Sequence, residues 1–346
     1  MVDNILRLEG CGQLRLIAGA YVSAPSITGG SDRAEREFYN HLRLHKGLIG
    51  GLEVPFFGNE LHQFGTKFLE GVLDESWTNS ITCLPGTMSA LALDEHFGLA
   101  SKNEDGRNRA IAFHMRLRDE IRKVNDALGR QAFFAVQVAS APTTRRSEQR
   151  SSRSALLRSL ETLTRLEWDG VKLCLEHCDV ARPGGHFEKG FMKLQDEISV
   201  VQELKRENAI GFVVNWARSA IEGQSEEAVV QHLQSLVKAR LLSGLIFSGV
   251  SSDDKYYGNW KDTHMPMSTS GIESLRFSKS ILTPEAVTRA LNEVIATNID
   301  YIGVKVMLLP SEPHFSSLSV DIYTDILKIV KAEWLKKGTT KGSGSA

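Results

Sequence analysis

A chain of 346 residues, 42% hydrophobic and 24% charged, has the composition of a globular protein able to bury a sizeable core. Its formal net charge of −1 lacks the basic footprint of a nucleic-acid binder and the polybasic signal of a membrane-surface protein. No apolar run approaches the roughly 20 residues that span a bilayer, and the acidic opening around Asp3 and Glu9 has no signal-peptide core, so a cytoplasmic protein is expected.

In chain order, an apolar run near 14–21 reads as a strand, and Ser31 and Asp32 lead a helix over 31–46. A second strand near 48–57 ends at Glu53 and Pro55, with a helix at about 60–73 behind it. A strand near 80–86 is stopped by Pro85 and Gly86, and the long connection 86–101 is expected to carry a small extra helix. Over 107–128, Ile111, Met115, Ile121 and Leu128 form one side of a helix that Gly129 terminates, with His114 expected on its surface. A strand near 132–140 leads into the polar, basic loop 143–153 and a helix over 152–166. The strand near 171–179 is followed by the loop 180–191 and a helix to about Glu207. A strand near 209–217 ends around Asn215, and Ser225 caps the next helix. The strand near 241–250 gives way to a polar-aromatic loop, 253–271; Thr283 and Pro284 then open a helix as N-cap and first residue. The last strand lies near 300–309, a closing amphipathic helix covers 316–336, and 337–346 reads as a flexible tail resembling a linker or vector scar.

Eight strand–helix units without a composition break predict a single-domain α/β fold, a (β/α)8 TIM barrel over 1–336. A doubly wound sheet gives the same alternation, but eight units favour closure. Cys11, Cys83, Cys174 and Cys178 show no CxxC spacing, which argues against a disulfide framework and a structural zinc. No GxGxxG or GxxxxGK[ST] motif follows a strand, so no nucleotide cofactor is expected.

In such a barrel, chemistry sits at the carboxyl ends of the strands. Those ends offer Glu53, Gln137, Ser140, Glu176, His177, Asp179, Asn215, Trp216, Arg218 and Lys305, and the 253–271 loop adds Asp253, Asp254, Tyr256, Tyr257, Trp260, Asp262 and His264. Glu53 and Glu176 are candidates for an acid/base pair or for holding a divalent cation. Lys305 or Asn215 would stabilise an enediolate oxygen. The bland alternatives are a salt bridge from Glu53 to an arginine and a buried pair of Lys305 with Glu176. His264, with Asp262 two residues before it, is a further catalytic candidate. Gln137, His177, Asn215, Trp216, Arg218, Tyr256, Trp260 and Asp262 are substrate-binding candidates, the aromatic rings as stacking faces for a sugar. Arg145, Arg146 and His186 are weaker candidates in polar loops.

The runs PGTMSAL (85–91), LEHCD (175–179), EKGF (188–191) and NWARSAIE (215–222) are the specific points of likeness. On them the chain resembles the xylose isomerase-like, apurinic-endonuclease-like TIM-barrel superfamily, in an uncharacterised bacterial, sugar isomerase-like branch. The resemblance implies an enzyme of the isomerase or epimerase kind, with a small carbohydrate, neutral or anionic, as partner, no nucleic acid or membrane, and association into a homo-oligomer as in other barrels of the superfamily. It also implies that Glu176 is a metal ligand. The usual companions, acidic residues ending strands six and eight and a histidine on strand seven, are replaced by Asn215, Lys305 and Ser248. The expected cofactor is therefore none, or a divalent Mn, Mg or Zn rebuilt around Glu176, His264 and an aspartate. A lyase or hydratase, and a sugar-binding barrel without catalysis, are the alternatives.

Overall fold

Strands and helices alternate along the chain: β1 (Ile5–Arg7), β2 (Gln13–Ala18), α1 (Asp32–Arg43), β3 (Gly51–Pro55), α2 (Thr66–Val72), β4 (Asn79–Thr82), α3 (Leu84–Leu93), α4 (Glu104–Leu128), β5 (Phe133–Val138), α5 (Arg153–Thr164), β6 (Lys172–His177), α6 (Leu194–Glu203), β7 (Ile210–Asn215), α7 (Trp216–Gly223), α8 (Glu226–Ala239), β8 (Leu242–Phe247), α9 (Pro284–Val294), β9 (Tyr301–Val304) and α10 (Phe315–Gly342). The structure, a computed structural model, describes residues 5–7, 13–143, 150–181, 187–204, 210–269, 277–309 and 315–342. Cys11, Arg145, Arg146 and His186 lie outside them.

The strands form one sheet in sequence order, and β2 pairs with β9 as well as with β3, which is the order of a (β/α)8 barrel. The short β1, which the sequence did not announce, runs antiparallel to β2 with Ile5 opposite Arg15. Strands β3, β4, β7, β8 and β9 are buried at every position. Burial on both faces explains why they read as continuous apolar runs and not as alternating ones.

By their internal contacts the residues fall into two compact units. The first comprises 1–53, 74–77 and 214–346. In it, β2 and β8 both pair parallel with β9, so that Ile17, Gly303 and Ile246 stand in one row. Ser31, Ser225 and Thr283 cap α1, α8 and α9 by accepting the N–H of Ala34, Ala228 and Ala286. The helix α7, which the sequence did not separate from the strand before it, begins directly at the end of β7.

The second unit comprises 54–73 and 78–213. Here β4, β5 and β6 pair in parallel. The predicted extra helix is α3, and Pro85 opens it, where the sequence suggested only a stop to the strand. A Cβ at Gly86 would lie 2.4 Å from the Phe56 carbonyl oxygen, so only glycine lets α3 approach so closely. In α4 the buried stripe is Ala110, Ile111, Phe113, His114, Leu117, Ile121 and Val124, while Met115 faces outward. The expected phase was therefore off by part of a turn, and His114 is a core residue, not a surface one.

Candidate functional site

Glu53 and Lys305 meet because of strand register. Gly51 of β3 pairs with Ile17, and Ile17 pairs with Gly303 of β9. Two residues further on, alternation returns the chain to the same face, which therefore carries Gly19, Glu53 and Lys305 at the carboxyl ends of β2, β3 and β9. The Lys305 ammonium forms an ion pair with Glu53 Oε1. The two side chains are 0% and 1% exposed. Lys305 Nζ also lies 3.4 Å from the Tyr21 hydroxyl and 5.2 Å from the centre of its ring. A Cβ at Gly19 would stand 2.9 Å from Lys305 Cβ, so glycine leaves the room that the lysine stem occupies. Within this unit Lys305 pairs with Glu53, so a partner of Glu53 is a lysine where the sequence suggested an arginine.

A second group in the same unit joins the end of β8 to the loop behind it. Arg218, in the first turn of α7, donates from Nε to Asp262 Oδ2 at 3.0 Å. His264 Nδ1 lies 2.9 Å from Ser248 Oγ and 3.5 Å from Asp262 Oδ1. Serine and aspartate thus share one ring nitrogen. A hydrolytic triad needs them on opposite nitrogens, so serine and aspartate do not make one with this histidine through these two contacts. Trp260 and His264 both take left-handed backbone angles, φ 52° and 54°, which non-glycine residues adopt at a cost.

Asn215 ends β7 and caps α7, its Oδ1 accepting the Ala217 N–H at 3.1 Å. Its Nδ2 and the Nε1 of Trp216 are buried donors without a hydrogen-bond partner among the described residues. Trp216 is fully buried and shows no open face for stacking. Trp260 is half-buried, and Tyr256 is exposed with the Lys255 ammonium 5.1 Å from its ring centre. Tyr257 has a structural role: its hydroxyl donates to the Met307 carbonyl and accepts the Leu309 N–H.

In the other unit, Glu176 and Gln137 are buried at the ends of β6 and β5. Gln137 pairs in register with Cys174, so by alternation Gln137 and Glu176 share a face. Burial first, and then the field of Glu176, push the Cys83 thiol well above its usual range, so Cys83 stays protonated. His177, one residue on, faces the opposite side of β6. Its Nδ1 donates to Glu197 Oε2 of α6 at 2.7 Å, and Ser140 Oγ donates to the other oxygen of that carboxylate. All three are shut off from solvent. Through this bond His177 links strand to helix. Asp179 accepts the Glu188 and Lys189 N–H groups and so ties down the loop behind β6. Tyr21 and Glu197 escaped the sequence reading. Tyr21 stands just past the end of the first apolar run and could have been included with the other strand ends, whereas a glutamate inside a helix carries no such sign.

Among the described residues, no helix is long and apolar enough to cross a membrane. A protein of Salmonella typhimurium known as an uncharacterized protein is 31% identical over 292 residues, 84% of this chain and 89% of its own. The structure of the IolI protein with a binding zinc atom aligns at a TM-score of 0.56, with 14% identity and coverage of 92% of this chain and 99% of that one. A putative xylose isomerase from Rhodospirillum rubrum aligns at 0.54, with 10% identity and coverage of 93% and 99%. At these identities the two structures establish the fold alone, that of a TIM barrel. A family model described as a domain of unknown function, DUF4862, matches residues 17–318, and the chain belongs to that family.

Proposed function

We propose that the chain is a carbohydrate isomerase or epimerase that acts on a sugar or sugar phosphate by moving a proton next to a carbonyl. The observation that carries this reading is the ion pair of Lys305 with Glu53, closed off from water at the ends of β9 and β3. Such a pair adds little to folding, because desolvating both charges costs about as much as their attraction returns. It does supply what enolisation needs: a carboxylate to take the proton from carbon, and a fixed positive charge beside the oxygen that becomes negative. Glu53 is the base and returns the proton to the neighbouring carbon. Lys305, with the Tyr21 hydroxyl, stabilises the enediolate oxygen, while Arg218 and His264 hold substrate. For Glu176, proton transfer is proposed on the ground of its own buried carboxylate at the end of β6.

The donors that end β7, β8 and β9 do not fit a divalent cation. The Asn215 carbonyl oxygen is engaged by Ala217, Ser248 is bonded to His264, and Lys305 brings a positive charge. No step is therefore assigned to a metal, and the zinc of the IolI structure stays with that protein. The name of the Rhodospirillum rubrum structure agrees with sugar chemistry and adds support at the level of fold.

The test is proton exchange. A panel of aldoses, ketoses and their phosphates is incubated with the protein in D2O with chelator present and followed by NMR. The expected result is deuterium at the carbon next to the carbonyl of one sugar class, with turnover reduced about 10²–10⁴-fold in Glu53→Gln and Lys305→Met. Wild-type protein that binds a sugar without exchanging its protons, or variants as fast as wild type, would overturn the reading.

A further inference from the structure

The side chains of His41, His45 and Asp321 stand together. His41 lies in the last turn of α1, and His45 follows four residues later, its N–H still bonded to the Leu42 carbonyl at 3.0 Å. That spacing puts both imidazoles on one side, with ring centres 5.9 Å apart. Asp321 lies in the second turn of α10, which packs on α1. One ligand atom from each of the three lies within 4.8 Å of the other two. Both histidines are half-buried and Asp321 is exposed, so an ion can reach them from solvent.

We propose that His41, His45 and Asp321 form a surface site for a transition-metal dication, Zn2+, Ni2+ or Cu2+, that clips α1 to α10. The ligand chemistry selects the class: two imidazoles with a carboxylate suit these ions, whereas Mg2+ and Ca2+ want oxygen alone. Bond lengths of about 2.0–2.1 Å in a tetrahedral centre place ligand atoms about 3.3 Å apart. Closing up from 4.8 Å takes small rotations, which exposed side chains make cheaply. Asp325, one helical turn beyond Asp321, offers a second carboxylate on the same face of α10. The nearby Lys328 is held by Asp325 at 3.1 Å. The site joins the first and last helices of the unit and does not depend on the chemistry proposed for Glu53 and Lys305.

Equilibrium dialysis of chelator-stripped full chain against Zn2+, read by elemental analysis, tests it. Wild type binds one equivalent that the double variant His41→Asn/His45→Asn lacks, and Glu176→Gln keeps that equivalent. Asp321→Asn weakens it about tenfold or more, since changing even a residue behind a ligand costs that much. The melting temperature of wild type rises with Zn2+ until the site saturates, while the double variant melts at the wild-type metal-free temperature and does not respond. Equal stoichiometry and affinity in wild type and double variant, or a Zn2+-dependent rise in melting temperature that the double variant shares, would overturn the proposal.

Discussion

At Lys305 the sign of the charge matters most. An ammonium with no exposure, on a face shared with Glu53 and opened by the missing side chain of Gly19, depends on a carboxylate such as that of Glu53. Lys305→Met leaves the Glu53 carboxylate buried without its ammonium, and Glu53→Leu does the converse. Each single change should cost about 3–5 kcal/mol in urea unfolding, and the double change should cost less than either, because it removes both desolvation penalties at once. Additive losses in the double variant would mean that the two residues are held by their surroundings and not by each other. The sequence showed Lys305 as a charge inside an apolar strand and so marked it as unusual. It could not show that Glu53 is a partner, because that pairing is made by register across strands far apart in sequence.

Among the elements, what the sequence revealed and what it concealed have one cause. Continuous apolar runs made β2 to β9 legible as strands, but a strand buried on both faces has lost the alternation that would say which residues share a side. That is why Glu176 and His177 looked like one constellation, when adjacent residues of β6 must face opposite ways and His177 turns to Glu197. The helix α4 lost its phase differently, because a buried histidine and an outward methionine blurred the polar and apolar faces. Its start was clear in the structure: the exposed Asn103 accepts the Gly106 N–H at 2.8 Å. Asn103→Ala should lower stability by about 1 kcal/mol, and Asn103→Ser, which keeps an acceptor, should lose only a few tenths. Urea midpoints of the two variants measure this, and equal losses would show that the cap contributes nothing.

For the whole molecule, acid is the informative perturbation, and α4 carries a buried group that responds. His114 donates from Nδ1 to the Ala110 carbonyl at 2.7 Å, while its Nε2 is buried without a partner among the described residues. Burial, only partly offset by that hydrogen bond, lowers its pKa to about 4. The unfolded chain has an ordinary histidine near 6.5 at this position. Between these values the unfolded state binds a proton that the folded state refuses, so stability falls as the pH drops. The stabilising contribution is complete above about 6.5 and is lost as the pH falls towards 4, with a limiting slope of about 1.4 kcal/mol per pH unit and a total of about 3 kcal/mol. His114→Leu removes the titrating group while keeping an apolar side chain in the stripe. Urea midpoints at pH 7, 6, 5 and 4.5 should therefore fall steeply for wild type and more gently for His114→Leu, the two curves converging as the pH drops. Parallel curves would place the acid sensitivity elsewhere and show that the α4 core admits a charged imidazole without penalty.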